Sequence, residues 1–300
     1  MHPVTIRPSD LQLQSEYGPL LDAIRGVRWP AARRVAGATL GAHPSTLRGN
    51  SSEFSEFRPY RQGDDPRRVD WRLLARSDRA YVRLTTDRAT LRTAILVDAS
   101  ASMAFPRETL DKWVRAREIA VGLAAVAHAE SDPVGITIAR TRPFTLTPRA
   151  RRSVIAEMIR ALDDTVPEGA EPLVAHLATA RAARIAVITD LLGDADALLA
   201  AARLRIAAGA EVLVVHVVAP EELDPPAAAM LAVDPEEETT RRTLDGAART
   251  QYVRAFARWL DDVASDFRAA GVRYLRAEST EPAAHIVRRV AGGTARVAGG

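Results

Sequence analysis

Residues 93–103 read TAILVDASASM, and residues 183–190 read ARIAVITD. Both are short apolar runs that end on an aspartate, Asp98 in one and Asp190 in the other. A strand with little alternation between apolar and polar residues is one covered on both faces, as happens in a parallel sheet. Residues 134–139, 144–146, 212–218 and 272–275 have the same character. Together with 94–97 and 185–189 they make six expected strands.

The segments between these runs have helical period. After Asp111, the side chains Trp113, Ala116, Ala120, Leu123, Ala124 and Ala127 recur on one face, and Val154, Ile155, Met158, Ile159 and Leu162 do the same after Arg151. Near the C-terminus Tyr252, Phe256, Trp259, Leu260, Val263 and Phe267 form a single stripe, read as core, and Gly271 stands where a left-handed cap belongs. Strands alternating with helices specify the α/β class: a doubly wound, mostly parallel sheet of Rossmann type, flanked by helices.

The expected organisation is a basic, irregular N-terminal extension over residues 1–92, the α/β domain over 93–292 and a frayed tail over 293–300. Within the extension a short helix is expected near residues 19–25, another near 70–75, and an extended segment over 81–86. Too little apolar surface recurs there for a separate core, so the extension is expected to pack on the main domain. Residues 220–246 turn acidic and proline-rich, which reads as a long exposed excursion, partly mobile.

Composition narrows the chemistry. Three hundred residues, 47% apolar and 26% charged, are ample for one core. No window reaches eighteen uninterrupted apolar residues, and the N-terminal stretch lacks the basic start and apolar run of a secretory signal, so a cytoplasmic location is expected. With no cysteine there are no thiolate ligands, thiol nucleophiles or disulfides. Lys112 is the sole lysine, and with no GK[ST] sequence a P-loop is excluded. Residues 1–92 carry sixteen arginines against ten acids, yet the acids are interleaved, as in GDDPRRVDW over 63–71. That pattern favours an ion-paired surface over a nucleic-acid site.

The chemistry-bearing residues follow the first strand. Asp98, Ser100 and Ser102 alternate, so in an extended turn one carboxylate and two hydroxyls point the same way. Asp190 ends a second strand, and ligands of doubly wound sheets bind at the carboxyl ends of strands. Oxygen donors without His or Cys suit magnesium, manganese or calcium, and an incomplete protein shell suits magnesium, which keeps several waters, so Mg2+ or Mn2+ is the expected cofactor. The alternative is that Asp98 and the serines cap the following helix. An anion at a helix N-terminus is a further alternative.

DASAS followed by VITD resembles the von Willebrand factor A fold with its metal-ion-dependent adhesion site. Residues 56–84, EFRPYRQGDDPRRVDWRLLARSDRAYVRL, resemble the domain of unknown function 58 family in Arg58, Tyr60, Gly63, Asp64, Asp65, Arg67, Asp70, Trp71, Ala75, Arg76 and Tyr81, with Glu53 and Phe54 just before. Two departures stand out. The upstream RGNSSEF has Ser51 where relatives often carry a second glycine, and the adhesion-site threonine is missing from VPEGAEPLVAHLA, which offers Glu171 as a substitute oxygen ligand.

The resemblance implies a noncatalytic protein-interaction module, an adaptor or co-chaperone of a MoxR-type AAA+ ATPase acting on a client protein. Its metal site would be Asp98, Ser100, Ser102, Asp190 and Glu171, coordinating a partner carboxylate. A docking surface is expected at Arg58, Tyr60, Asp64, Asp65, Asp70 and Trp71, with the aromatics as anchors; ion pairs that staple the turn to Arg58, Arg61 or Arg76 are the structural alternative. The rival function is a metal-dependent phosphohydrolase using Asp98, although Ser100 stands where that chemistry wants a second acid. A Ser/His/Asp hydrolase lacks its GxSxG elbow.

Overall fold

In the computed structural model the six apolar runs lie side by side as one sheet. The structure describes residues 8–32, 40–44, 54–62, 69–77, 79–85, 88–170, 173–226, 230–233, 241–244 and 246–292. The N-terminal part contributes α1 (Pro8–Ala23), β1 (Leu40–Pro44), β2 (Phe54–Pro59), α2 (Trp71–Ser77), β3 (Tyr81–Thr85) and β4 (Arg88–Ala89). The α/β part then runs β5 (Thr93–Asp98), α3 (Asp111–Ala129), β6 (Val134–Ala139), β7 (Phe144–Arg149), α4 (Val154–Asp163), α5 (Leu173–Thr179), β8 (Arg184–Thr189), α6 (Ala195–Ala207) and β9 (Glu211–Val218). It finishes with α7 (Pro220–Leu223), β10 (Met230–Val233), β11 (Arg241–Leu244), α8 (Gly246–Ala269), β12 (Arg273–Glu278) and α9 (Ala283–Gly292).

The sheet order is β12-β9-β8-β5-β6-β7. Every pairing is parallel except the β6–β7 hairpin. The chain leaves β5 for β6 on one side and comes back to β8 on the other, so the topological switch falls between β5 and β8. Gly135 shows how tightly the hairpin is drawn, because a Cβ there would run into the Leu146 carbonyl and the Pro148 nitrogen.

Two apolar layers cover the sheet. One gathers Ile95, Val97, Ile136 and Ile138 under Trp113, Ile119, Leu123, Met158, Leu162, Ile286 and Val290, from α3, α4 and α9. The other gathers Leu96, Ile185, Val187, Val212 and Val214 under Leu177, Leu198, Ala202, Val263 and Phe267, from α5, α6 and α8. Alternate residues of β5 therefore enter opposite layers, as the period of a strand requires. Each fully buried aliphatic side chain contributes roughly 1.5–3 kcal/mol of transfer free energy, which is why the strands carry so few polar residues.

The extension shares the core of the α/β part. Tyr17, Ile24 and Trp29 belong to the same layer as Ile95 and Trp113. The Tyr17 hydroxyl donates to Asp163 Oδ1 at 2.9 Å, and the Arg184 guanidinium lies 4.2 Å from the Trp29 ring centre while donating to the Trp29 and Pro30 carbonyls. The pairs β1–β4 and β2–β3 are short antiparallel ribbons.

Some local expectations need correction. The first helix ends at Ala23 and runs back to Pro8, because Pro19 is tolerated within it. Between the helices expected in the extension lies β1, whose partner β4 is far along the chain and so leaves no local signal. The excursion after Pro220 contains α7 and the hairpin β10–β11. The aromatic stripe of α8 is core only in its second half: Leu260, Val263 and Phe267 are buried, whereas Tyr252, Phe256 and Trp259 are half-buried and stacked at 5.5 and 5.4 Å. The helix α8 also meets α7 and β11. Gly271, at φ +80°, does cap α8 in the left-handed region. Among the described residues no helix is long and apolar enough to cross a membrane.

Candidate functional site

The carboxyl ends of β5 and β8 meet at the switch point, and five polar side chains gather there. Asp98, Ser100, Ser102, Thr189 and Asp190 are all buried. After β5 the chain makes a 3-10 turn over Ala101–Ala104, and α3 does not begin until Asp111. Ser100 stands at the N-cap of that turn yet makes no side-chain cap bond. Its hydroxyl lies 3.0 Å from the Ser102 hydroxyl. The serines are therefore not spent on capping, and the capping alternative fails for them.

Asp98 is held by neutral donors. Its Oδ1 accepts from the Ser100 amide at 3.0 Å and its Oδ2 from the Thr189 hydroxyl at 2.6 Å. Burial first, and then the neighbouring Asp190 carboxylate, push the Asp98 carboxyl up to about 6, against the pull of these bonds. The Thr189 hydroxyl also accepts from the Leu191 amide at 3.1 Å, and Asp190 Oδ1 accepts from the Leu192 amide at 3.2 Å. Leu191 is left-handed, with φ 56°, an uncommon state for a large side chain. The strand end is thus turned sharply, with Asp98 lining the crevice and Asp190 beside it.

Asp190 is also engaged on its other oxygen. Lys112 Nζ, with its side chain 0% exposed, donates to Asp190 Oδ2 at 2.7 Å and to Glu222 Oε1 at 2.8 Å. Glu222 Oε2 accepts from the Ala219 amide at 2.7 Å, closing the first turn of α7. Burial would lower the Lys112 ammonium, but the two carboxylates outweigh it and hold it above the usual lysine range. Glu222 is pushed up by burial, opposed by Lys112. Behind Asp190, the His216 Nδ1 lies 2.6 Å from the Tyr274 hydroxyl, and the imidazole also bonds the Asp190 backbone.

Beside Asp98 opens a cavity of about 290 Å³, lined by Asp98, Ser100 and Thr189 on one wall and by Leu173, Val174 and Leu198 on the other. Residues 168 and 169 are tied to the chain leaving β5, the Ala101 amide donating to the Gly169 carbonyl at 2.8 Å and the Glu168 amide to the Ala99 carbonyl at 2.9 Å. Glu171, the expected substitute ligand, lies outside the described residues, as do Asp64 and Asp65 of the docking stretch. Among the described residues no three His, Asp or Glu side chains converge as a metal cluster. The donors gathered here are two acids and three hydroxyls.

The remaining docking residues lie on the extension, apart from this crevice in sequence. Asp70 caps α2, its Oδ1 accepting from the Arg72 and Leu73 amides at 3.0 and 2.9 Å. Trp71 is 63% and Tyr60 39% exposed, and Arg58 is half-buried in β2. Sequence reasoning missed Thr189, Lys112, Glu222 and the His216–Tyr274 pair. Lys112 did leave a signal, being the sole lysine among forty-one basic residues.

The profile described as "Protein of unknown function DUF58" matches residues 56–260. The chain is 30% identical over 298 residues to the uncharacterized protein Rv1480 of Mycobacterium tuberculosis and to the uncharacterized protein Mb1516 of Mycobacterium bovis, covering 95% of this chain and 93% of each relative. Among solved structures, the conserved hypothetical protein BatB from Bacteroides thetaiotaomicron is 19% identical with a TM-score of 0.43, over 68% of this chain and 98% of that one. An aerotolerance-related membrane protein from Bacteroides fragilis is 18% identical with a TM-score of 0.45, over 68% and 99%.

Proposed function

The chain belongs to the DUF58 family, and we propose that it works as a noncatalytic interaction module, a von Willebrand factor A-like domain whose carboxyl-end crevice takes a divalent cation and, through it, a partner's carboxylate. The observation that carries this reading is Asp98, a buried carboxylate served by neutral donors and set beside two hydroxyls that cap nothing. Its burial disfavours the charged form, and a cation is what relieves such a group.

The donor set fits Mg2+ or Mn2+. Asp98, Ser100 and Ser102 would hold the ion, and Glu171 is the sequence's further candidate. Hard oxygen donors in an incomplete shell leave positions for water or for an acidic side chain of another protein. The bound ion would supply positive charge to which a partner carboxylate adds. The chain's own contribution is to fix the donors: Thr189 orients Asp98, and Lys112 neutralises Asp190.

The cavity favours binding over phosphoryl transfer. An aspartate nucleophile for phosphate wants a second acid two residues on, where this chain has Ser100, and the sole lysine is buried with both Asp190 and Glu222 on its ammonium. The family resemblance supplies the partner class, a MoxR-type AAA+ ATPase with a client protein, with Tyr60 and Trp71 as exposed anchors on the extension.

The test is the melting temperature of wild type and Asp98→Ala through magnesium and manganese titrations, with chelator and inorganic phosphate as controls. A ligand at a hundred times its dissociation constant stabilises by about 2.7 kcal/mol, or roughly 4–6 °C in a domain of this size. A shift in wild type that is absent in the variant is the expected result. No cation shift in either protein overturns the metal reading, and a phosphate shift alone points to an anion site.

A further inference from the structure

Lys112 is the one lysine in a chain that otherwise uses arginine forty times. A guanidinium is a planar fork suited to surface carboxylates, whereas an ammonium is a compact point charge that fits between two of them. Here the ammonium sits in the interior with an acid on each side, Asp190 at 2.7 Å and Glu222 at 2.8 Å. The Lys112 amide is bound to the Phe105 carbonyl at 3.2 Å, and the Phe105 ring lies 5.7 Å from Nζ, so the side chain is packed as well as paired.

Resting on the cation reading above, we infer that Lys112 is a tethered cation holding the coordination place of Asp190, so that Asp98 carries divalent binding without its neighbouring aspartate. Both Asp190 oxygens are already engaged, Oδ2 by Lys112 and Oδ1 by the Leu192 amide. An incoming ion that recruited Asp190 would have to displace an ammonium whose side chain is wholly buried. Stripping one partner from a buried pair is costly because the other charge is left uncompensated.

The charge count agrees. The carboxylates of Asp98, Asp190 and Glu222 against the single ammonium leave two negative charges, the number one divalent ion neutralises. Without the lysine, Asp190 Oδ2 would lose its partner beside Asp98, giving a site for tighter and less conditional binding. Lys112 thus keeps the intrinsic affinity low and leaves room for a carboxylate supplied by a partner to decide occupancy.

The test replaces the lysine without changing the net charge. Lys112→Met/Glu222→Gln removes one cation and one anion, preserves the packed volume and frees Asp190. Calorimetric titration with manganese is expected to give affinity at least tenfold tighter than wild type, and adding Asp190→Asn is expected to return it to the wild-type level. If the double variant does not fold, Lys112→Leu/Glu222→Gln also removes the donor on Asp190 and carries the same comparison. Equal affinity in wild type and the double variant overturns the role of Lys112 and leaves the cation site standing. Binding in the double variant alone upholds the tethered cation and overturns cation binding by the native chain. No binding in any of them overturns both.

Discussion

The Thr189 hydroxyl donates to Asp98 Oδ2 at 2.6 Å across the β5–β8 boundary, and it accepts from the Leu191 amide at 3.1 Å. One hydroxyl therefore fixes the carboxylate of one strand and the turned backbone of the next. Thr189→Val keeps the shape and deletes both bonds. A hydrogen bond to a charged group contributes roughly 1.5–3 kcal/mol, so the variant is expected to lose about that much stability in chelator at pH 8, measured by urea unfolding. Its cation midpoint is expected to weaken as well, since Asp98 loses the donor that orients it.

Asp98 gives the apo protein a pH signature of unusual sign. Its carboxyl stands at about 6 in the fold against 3.8 in the free side chain. The folded state therefore holds the proton more tightly than the unfolded chain, and stability from this group is complete below about pH 4 and lost as pH rises through 6. A rise of that size corresponds to on the order of 3 kcal/mol. Asp98→Asn mimics the protonated form, so in chelator at pH 7.5 it is expected to unfold at higher urea than wild type, with the difference vanishing toward pH 4. Lower stability of the variant at pH 7.5 would count against this account.

How much of this was legible depended on whether a feature is local. The strands 134–139 and 212–218 appear in the fold where their apolar runs stand, because a strand buried on both faces writes its identity into consecutive residues. Asp98 and Asp190 were visible as strand ends for the same reason. Lys112 meets Asp190 across 78 positions and Glu222 across 110, and no spacing rule joins residues so far apart. Tyr252 and Phe256 misled in the opposite way: their helical period is real, but period tells which residues share a face and not how completely that face is covered along its length. The β1–β4 pairing was hidden because five residues with a glycine and a proline carry little strand propensity of their own.

His216 provides a second titration of opposite direction. Burial depresses its imidazole from 6.5 to about 4, opposed by the Asp190 carboxylate and backbone. The folded state holds the neutral ring, so this contribution is complete above about pH 6.5 and lost as pH falls through 4, on the order of 3 kcal/mol in all. The Tyr274 hydroxyl and the edge-on Trp259 ring, 5.5 Å away, complete the enclosure. His216→Asn is expected to be less stable than wild type at pH 8 and to show a flatter acid limb between pH 6.5 and 4, followed by urea midpoints at fixed ionic strength. Because the Asp190 carboxylate also acts on the imidazole, the comparison is made in chelator.

Trp71 separates the proposed docking surface from the fold. It opens α2 directly after the Asp70 cap and is 63% exposed, so Trp71→Ala removes little buried area. Surface changes of that kind usually alter stability by no more than about 0.5 kcal/mol, and the urea midpoint is expected to stay put. A central aromatic anchor, by contrast, typically costs about 2 kcal/mol or more of binding when truncated, roughly thirtyfold in affinity. With a purified MoxR-type ATPase as the probe, wild type is expected to bind and Trp71→Ala to bind at least thirtyfold more weakly, while Asp98→Ala removes only the magnesium-dependent part. Unchanged binding by Trp71→Ala would move the contact off the extension and onto the crevice, and loss of binding together with loss of stability would make the tryptophan structural.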